Sequence, residues 1–423
     1  MDADADRTLE YAKMFNPDII GISVTTLTAG YARKLAAKSK NTLKNTLVVL
    51  GGPHITALPY ENLDVADICV IGEGEQTFAE LVDNFPDELS FEKIPGVAFK
   101  KNGKTVKTNE KKLIPNLDKL PFPAMDMYSQ YRYIHIYPYR LKNTHYRTII
   151  TSRGCSYNCS FCMSELIWKR EVRFRSLDNV FQEIGELVGK YKTSLLFIHD
   201  DNFTVNAARV YEFCRTKRKY FPELKWICHA RADCLSSELL AEMKSAGCVE
   251  IQIGVESGDD TILSKCNKAV TTSTIITAFK MLRKSGINQW ATFIIGNEGD
   301  DKESILKTIN LSKIINPTYA TFLFLLPLPG TKCFNRLSEK GFITTYDWSK
   351  YTWHGEPVFE TESLSRKMLL WIRKKAFLEF YLRPSALIRC LFDIVKSRQW
   401  NMLFRGFMTI FKFGFGFIQN KRA

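Results

Sequence analysis

The chain has 423 residues, of which 45% are hydrophobic and 25% are charged. These values exclude a globally disordered chain and allow two or three domains with sizeable cores. The 11 cysteines are scattered along the sequence, and acidic residues follow Met1 where a secretory signal would be basic. We therefore expect a cytoplasmic protein that keeps thiols for a metal, and not a disulfide-stapled secreted one.

The formal net charge of +14 is concentrated at the C-terminal end. Residues 363–423 contain 13 Lys and Arg but only two Asp and Glu. A nucleic-acid-binding surface that covered the whole protein would distribute its basic residues more widely. We therefore expect no nucleic-acid partner.

The first part of the chain, residues 17–83, alternates short apolar runs with helical stretches. The runs at 18–23, 47–50 and 68–71 end in small polar or glycine-rich segments. Short apolar strands joined by helices predict a parallel, doubly wound (flavodoxin-like) sheet, in which ligands bind at the carboxyl ends of the strands. The candidate binding residues at these ends are Thr25, Thr26, Gly51, Gly52, His54, Gly72, Glu73, Gly74 and Glu75.

Four regions are predicted along the chain. Residues 1–83 form the α/β domain, and residues 84–146 form a connector with a β-hairpin. In residues 147–335, six apolar strand cores alternate with helices, which predicts a partial (β/α)6 barrel with its site at the strand C-termini. Residues 336–423 are helical, basic and aromatic, and no apolar run there is long enough to span a membrane.

Cys155, Cys159 and Cys162 lie in a CxxxCxxC loop directly after the first barrel strand. Three thiolates at this spacing can ligate three irons of a [4Fe-4S] cluster and leave the fourth iron open. A zinc site with a distant fourth ligand and three unconnected core cysteines are the alternatives. The zinc alternative is weaker, because structural zinc prefers paired CxxC units and the sequence offers no second pair.

The cysteine loop resembles the signature of the radical S-adenosylmethionine (SAM) superfamily, and the resemblance covers residues 147–330. It implies that the open iron chelates the amino and carboxylate groups of SAM. It also implies reductive cleavage of SAM to methionine and a 5′-deoxyadenosyl radical that abstracts a hydrogen atom from a substrate. The implied SAM-binding residues are Phe161, Asp200, Asp201, Arg231, Glu256, Ser257 and Ile295.

Structural roles remain open for several of these residues. The carboxylates of Asp200 and Asp201 are also what a helix cap would use. Arg231 can bind a ligand carboxylate through two hydrogen bonds, or it can form an internal ion pair. The segment 297–300 departs from the family, which commonly has a proline–glycine turn at this point, so the shape of that loop is in question.

Residues 17–83 resemble the cobalamin (B12)-binding domain that precedes the barrel in one class of radical SAM enzymes. The matching pieces are 18–23, 51–54 and 72–75. Flavodoxin-like domains have the strand order 2-1-3-4-5 with a crevice between strands 1 and 3, and this sequence begins just before strand 3. We therefore expect an incomplete domain with an exposed apolar sheet edge. Cobalamin binding is the expectation from the family, with His54 as a scaffold residue.

The segment 375–384 resembles the subgroup that contains the anaerobic magnesium-protoporphyrin monomethyl ester cyclase and hopanoid-modifying enzymes. This resemblance implies methylation, cyclisation or oxidation of an apolar or tetrapyrrole-like small molecule, with a low-potential electron donor such as ferredoxin or flavodoxin. The aromatic, basic stretch 404–422 is either a helix at the inner face of the membrane or a helix packed on the barrel. A non-catalytic iron–sulfur carrier and an inactive scaffold remain as alternative functions.

Overall fold

The computed structural model describes residues 5–128 and 145–389. The chain divides into two compact units, each assembled from three chain segments. The front unit comprises residues 1–120, 160–170 and 326–360. The barrel unit comprises residues 121–159, 171–325 and 361–423.

The front unit is built on a five-stranded sheet. Its strands are β1 (Ile19–Ser23), β2 (Leu47–Gly51), β3 (Ile68–Val70), β4 (Val97–Lys101) and β5 (Lys104–Lys107). They follow one another in this order across the sheet, with the first three parallel and the β4–β5 hairpin antiparallel to β3. Its helices are α1 (Ala5–Phe15), α2 (Ala29–Thr42), α3 (Pro53–Ala57), α4 (Gly74–Asn84), α5 (Ser164–Trp168) and α12 (Lys332–Glu339).

The middle of this sheet is apolar on both faces, which is why helices cover both sides. The first four residues of β2 and all three of β3 are buried. The predicted domain ended at residue 83 and left the hairpin to a connector. The structure instead continues the sheet into the hairpin, because Val97, Ala98 and Phe99 are buried and pair with β3.

Strand β1 lies at the edge of the front sheet in the part of the chain that the structure describes. Ile19, Ile20 and Ile22 are half-buried, whereas Gly21 and Ser23 are exposed. The expected exposed apolar edge is therefore found only in part.

Residues 326–360 complete the core of the front unit. Leu326, Trp348, Tyr351 and Val358 are buried in one cluster with residues of α2 and β2. Trp348 also donates from Nε1 to Glu61 Oε1 at 2.8 Å. The predicted boundaries divided this segment between the barrel and the C-terminal region, whereas its apolar side chains place it in the front unit.

The barrel unit is built on six strands with helices between them. The strands are β6 (Tyr146–Ile149), β9 (Leu195–Ile198), β10 (Lys225–Ala230), β11 (Cys248–Glu256), β12 (Asn288–Ile295) and β13 (Tyr319–Phe324), and a short pair is formed by β7 (Ser152–Arg153) and β8 (Arg173–Phe174). The helices are α6 (Leu177–Gly189), α7 (Ala207–Tyr220), α8 (Ser237–Ser245), α9 (Asp260–Lys265), α10 (Thr272–Ser285), α11 (Lys302–Ile315) and α13 (Arg366–Tyr381).

The six long strands form one sheet in the order β13-β12-β11-β10-β9-β6, and every neighbouring pair is parallel. The predicted partial barrel is therefore confirmed. Successive residues of each strand face opposite sides of the sheet. Along β12 fully buried residues alternate with half-buried ones, so one face is covered by helices and the other is partly open.

The C-terminal helix α13 covers the outer face of β13. The Phe322 ring lies 5.3 Å from that of Phe377 and 6.3 Å from that of Phe380. The helix ends at Tyr381, and helical structure resumes at Pro384. The predicted aromatic helix at 404–422 lies outside the described residues. Among the described helices, none is long and apolar enough to cross a membrane.

Candidate active site

The cysteine loop begins shortly after β6 and turns at Gly154. Gly154 has a φ of +98°, and its N–H donates to Asp201 Oδ2 at 3.2 Å. Cys155 and Cys159 follow, and both are half-buried. The barrel therefore delivers two cysteines to the carboxyl end of its sheet, where ligands bind in folds of this kind.

These two thiols differ from the cysteines that serve as core residues. Cys69, Cys214 and Cys228 are buried, and burial raises their pKa, to about 12 for Cys69. Burial also raises the pKa of Cys155, but a hydrogen bond from the backbone N–H of Tyr157 opposes that shift. Cys155 is thus the more accessible and better solvated thiol, as a metal ligand requires.

The third cysteine belongs to the front unit. Cys162 is exposed, and its Sγ accepts a hydrogen bond from the backbone N–H of Ser164 at 3.4 Å. Phe161 is half-buried beside it in sequence. Among the described residues, no group of three or more His, Cys, Asp and Glu side chains is arranged so that it could hold a metal ion. Three accessible thiols from one short loop, two of them receiving backbone N–H bonds, fit the ligation of an iron–sulfur cluster.

Asp200 ties the end of β9 to the cysteine loop. Its carboxylate accepts from the backbone N–H and the hydroxyl of Thr151 and from the hydroxyl of Ser152, each at 2.6 Å. Only 1% of its surface is exposed, and burial raises its pKa against the opposing effect of these donors. Asp200 is therefore anchored at the start of the cysteine loop, whereas Asp201 is exposed, and the assignment of both to SAM stays a prediction.

Arg231 forms the internal ion pair that the sequence left open. Its Nε and Nη2 donate to the two oxygens of Asp233 at 2.9 and 3.1 Å, and Nη2 also donates to the carbonyl of Lys268 at 2.6 Å. The guanidinium stacks on Tyr157, 3.4 Å from the ring centroid, and the Tyr157 hydroxyl donates to Asp233 at 3.0 Å. This arrangement fixes the middle of the cysteine loop to the end of β10, so Arg231 stabilises the position of that loop.

Glu256 ends β11 in an unusual backbone conformation. Its φ is +65°, a region that costs free energy for a residue with a side chain. Its Oε1 accepts from Lys268 Nζ at 2.9 Å, and both side chains are 9% exposed. A Cβ on Gly254 would lie 2.1 Å from Glu256 Oε1 and 3.1 Å from Lys268 Nζ. Glycine is therefore needed there to make room for the ion pair.

The last predicted SAM residues lie at the ends of β11 and β12. Ser257 is 1% exposed, and its hydroxyl lies 3.3 Å from that of Thr308. Ile295 is fully buried, so its side chain faces the helices and only its backbone can meet a ligand. Both assignments to SAM stay predictions. Because both side chains are buried, a ligand would meet the backbone of these residues more readily than their side chains.

The loop after β12, whose shape the sequence left in question, is held by Asp300. This carboxylate accepts from the backbone N–H groups of Gly296 and Asn297 at 3.1 and 2.8 Å, and from the Ser304 hydroxyl at 2.5 Å. Burial raises the pKa of Asp300 to about 7. The loop therefore reaches a defined conformation without the proline of the family pattern.

Sequence reasoning did not identify Tyr157, Lys268 and Asp300. Lys268 is the most important omission, because its charge is buried beside Glu256. The negative charges of Glu256 and Cys159 act to raise the pKa of Lys268 against the opposing effect of burial. The one available signal was the glycine at 254, which leaves space for a long side chain. The partner of Glu256 is 12 residues away along the chain, so its identity needs the fold.

The candidate cobalamin residues lie at the ends of β1, β2 and β3 in the front unit. Gly52 brings the first two ends together, because a Cβ there would lie 2.8 Å from the carbonyl of Val24. Thr25 is exposed and Thr26 is buried. The buried His54 ring places Nδ1 3.2 Å from Thr26 Oγ1 and lies edge-on to Trp348, with 5.1 Å between ring centroids. His54 is therefore enclosed, as expected for a scaffold residue.

The third loop of the front unit combines an open backbone with a buried anchor. Gly72 has a φ of +84°, and a Cβ there would meet no atom within 4 Å. Glu73 accepts from the backbone N–H of Ile114 at 2.7 Å, Gly74 begins α4, and Glu75 is exposed. Open backbone at Gly72 beside exposed polar groups fits the approach of a large ligand to the strand ends.

Comparison with known proteins places both units in families. The chain matches the radical SAM superfamily over residues 149–312 and the B12 binding domain over residues 1–82. It is 32% identical to an uncharacterized methyltransferase of Pyrococcus horikoshii over 90% of this chain and 82% of that protein. It is 27% identical to the anaerobic magnesium-protoporphyrin IX monomethyl ester cyclase of Cereibacter sphaeroides over 90% of this chain and 62% of that one.

Solved structures agree on the fold. The methyltransferase TsrM from Kitasatospora setae, solved with cobalamin and a [4Fe-4S] cluster, has a TM-score of 0.67 and 17% identity over 80% of this chain and 70% of its own. The cobalamin-dependent SAM radical enzyme OxsB has a TM-score of 0.62 and 20% identity over 80% of this chain and 49% of its own.

The two domains define the cofactors, since the radical SAM domain implies a [4Fe-4S] cluster and SAM, and the B12 domain supports cobalamin. The relatives are named methyltransferases and cyclases, so the electron-carrier and scaffold alternatives are not favoured. The chain is therefore an enzyme that belongs to the radical SAM superfamily, in the class whose members also carry a B12-binding domain.

Proposed function

We propose that the protein is a cobalamin-dependent methyltransferase that acts on an apolar or tetrapyrrole-like small molecule. The observation that carries this proposal is the 32% identity to a named methyltransferase over 90% of the chain. Two bacteriochlorophyllide d methyltransferases of Chlorobaculum tepidum, 23% and 26% identical, support the tetrapyrrole-like substrate.

The residues of this chain prepare the site in three ways. Asp200 and the Arg231–Asp233 pair hold the cysteine loop at the end of the barrel. Lys268 holds Glu256 at the end of β11. When bound, the cluster supplies the electron that cleaves SAM, and cobalamin carries the methyl group. Cys155, Cys159 and Cys162 are the residues that would hold the cluster, and Asp201 and Glu256 are the leading candidates to orient SAM.

Methyl transfer is tested with methyl-labelled SAM. The full chain is reconstituted anaerobically with iron, sulfide and cobalamin, and is then incubated with SAM, dithionite and candidate tetrapyrroles or lipids. We expect 5′-deoxyadenosine together with label in a product. An intact cluster that yields no 5′-deoxyadenosine would contradict the enzymatic assignment itself.

Oxidative cyclisation is the second candidate, since three anaerobic magnesium-protoporphyrin IX monomethyl ester cyclases are 26–28% identical to the chain. The same incubation separates the two reactions. Formation of 5′-deoxyadenosine with an unlabelled, modified tetrapyrrole would support cyclisation and contradict methyl transfer.

We also infer a low-potential electron donor such as ferredoxin or flavodoxin, because reductive cleavage of SAM consumes an electron. Contact of the C-terminal tail with the inner face of a membrane remains a proposal, and the residues that would make it lie outside the described part of the chain. Co-sedimentation of the full chain with anionic vesicles tests that contact. No nucleic-acid partner is proposed.

A further inference from the structure

The inner face of the barrel sheet is the face turned away from the helices. On β10, Trp226 lies on the outer face, where its ring is 5.5 Å from that of Phe213 in α7. Ile227 and His229 therefore lie on the inner face, because neighbouring residues of a strand point in opposite directions. Residues that pair in register across parallel strands share a face, so the inner face can be followed from strand to strand.

The first half of the inner face combines polar side chains with a small apolar cluster that contains Leu195, Phe197 and Ile227. His229 pairs in register with Gln252, and Ile227 pairs with Glu250. The His199 ring, just after β9, lies 5.5 Å from that of His229. Burial lowers the pKa of both histidines, to about 4 for His229. Both are therefore neutral near pH 7 and offer hydrogen bonds without charge.

Glu250 is the unusual member of this half. It is fully buried, its Oε1 accepts from Gln252 Nε2 at 2.9 Å, and its Oε2 has no partner among the described residues. A carboxylate can only accept, so the amide of Gln252 must direct its nitrogen toward Glu250 and its oxygen away. Glu250 Oε2 is thus left unsatisfied, and a buried acceptor without a donor costs free energy.

The second half of the inner face is aromatic. Gln252 pairs in register with Trp290, which in turn pairs with Tyr319. The Trp290 and Tyr319 rings lie 5.9 Å apart, and Trp290 Nε1 donates to Thr321 Oγ1 at 2.9 Å. With its indole N–H satisfied, Trp290 presents an apolar, half-buried surface. We call the row of inner-face residues His229, Gln252, Trp290 and Tyr319, together with Glu250, the wall. From His229 to Tyr319 it spans three strand spacings, about 14 Å.

We propose that this wall is the substrate-recognition surface and that it accepts a flat aromatic molecule with an N–H or O–H group. The flat frame contacts Trp290, and the donor group hydrogen-bonds to the acceptor oxygens of the Glu250–Gln252 pair. The inference rests on the proposed function, since it names the substrate class of that reaction.

A matched pair of probes tests the donor requirement. Carbazole carries a ring N–H, and dibenzofuran has the same three-ring frame with an oxygen in its place. Equilibrium dialysis against the reconstituted full chain, at a pH above 7 where Glu250 is ionised, should show about tenfold tighter binding of carbazole, the equivalent of one hydrogen bond to a charged group. The Glu250→Gln and Gln252→Met variants should each reduce this preference to about twofold or less. Equal or undetectable binding of both probes by the wild type would overturn the proposal.

A structural role for Glu250 predicts a different result in unfolding experiments. If Glu250 recognises a ligand, removing its charge without ligand present should leave the urea midpoint unchanged or raise it. Glu183 is the matched control, because it is also buried but is paired with Arg175 at 2.5 Å. Glu183→Gln should lower the midpoint. A Glu250→Gln midpoint lowered as much as that of Glu183→Gln would assign Glu250 to the fold and refute the recognition role.

The same preparations separate this inference from the proposed function. Formation of 5′-deoxyadenosine from SAM and dithionite reports on the cluster and SAM, and probe preference reports on the inner face. Normal 5′-deoxyadenosine formation without probe preference would refute only the recognition surface. Probe preference without label transfer to any product would refute only methyl transfer.

Discussion

The two units both place loops at the carboxyl ends of parallel strands, but they hold these loops by different means. In the barrel unit the loops are fixed by buried charges, namely Asp200, the Arg231–Asp233 pair and the Glu256–Lys268 pair. In the front unit the ends of β1 and β2 are held by neutral groups such as His54 and Thr26 and by the close approach at Gly52, and only the third loop has a buried carboxylate, Glu73. Buried charges are costly, so their concentration in the barrel indicates where a charged ligand is handled.

The largest expected effect comes from the cysteine loop. Cys155→Ala removes a cluster ligand, so the reconstituted protein should lose most of the about four irons of a [4Fe-4S] cluster and all formation of 5′-deoxyadenosine. Iron analysis and the visible absorption of the cluster measure this. Cys69→Ala, in the core of the front unit, is the control and should keep its iron. Equal iron in both variants would show that the loop does not bind the cluster.

The buried Glu256–Lys268 ion pair of the barrel can be disturbed without replacing either charged residue. In Gly254→Ala the new Cβ would lie 2.1 Å from Glu256 Oε1. Because both charged side chains must shift in a packed site, the change should cost about 1–3 kcal/mol in the free energy of unfolding and should weaken SAM binding. Urea denaturation and equilibrium dialysis with SAM measure the two effects.

The control for this variant is Gly189→Ala at the end of α6, where a Cβ would meet no atom within 4 Å. It should leave SAM binding unchanged and stability within about 1 kcal/mol of the wild type. If both variants behave alike, the space at Gly254 is not what maintains the ion pair.

A pH series sharpens the contrast between paired and unpaired buried charges. Burial raises the pKa of Glu250 from 4.5 to about 7. Between these values the folded protein holds a proton that the unfolded chain releases, so stability falls as the pH rises through this window. Glu250→Gln removes this slope, and its stability relative to the wild type should grow by roughly 3 kcal/mol from pH 4.5 to above pH 7.

The ionisable side chain of Tyr146, which lies near Glu250, does not obscure this measurement. Tyr146 is uncharged throughout the range, because burial and the nearby Glu250 raise its pKa to about 12. Asp300 has a similarly raised pKa, but it is present in both proteins and cancels in the difference. A difference that stays constant with pH would show that Glu250 is ionised normally.

The smallest effect is expected in the front unit. His54 is fully buried between Thr26 and Trp348, so its imidazole is not available to cobalt. His54→Gln should therefore leave the absorption spectrum of bound cobalamin unchanged, while the fold loses about 1 kcal/mol from the altered contacts. A changed spectrum would mean that His54 reaches the cofactor, and that the neutral loops of the front unit do more than shape a crevice.

Local patterns predicted local structure well. Ser236 and Gly247 are residue types that favour the two ends of a helix, and Ser236 caps α8 by accepting from the Leu239 N–H, with Gly247 at a φ of +85° just beyond it. The strand cores and the cysteine loop were likewise readable, because period, caps and spacing act over a few residues.

Roles that depend on distant partners were not readable. The contact of Asp200 with SAM stays a prediction, and the sequence did not indicate its three donors, which come from residues 48 and 49 positions earlier in the chain. For Arg231 the sequence left a ligand contact and an internal ion pair open, and the ion pair with Asp233 is the one that the structure contains. Sequence shows which residue types lie at a strand end, and only packing decides which of them remain available for a ligand.

The return of residues 326–360 to the front unit also constrains how the protein forms during synthesis. The buried cluster around α2 and β2 needs Trp348 and Tyr351, which leave the ribosome only after all six barrel strands have been made. The first sheet to emerge is thus among the last to close its core, and its apolar face stays exposed to aggregation or to chaperones in the meantime. An N-terminal fragment made alone would keep that exposed face permanently.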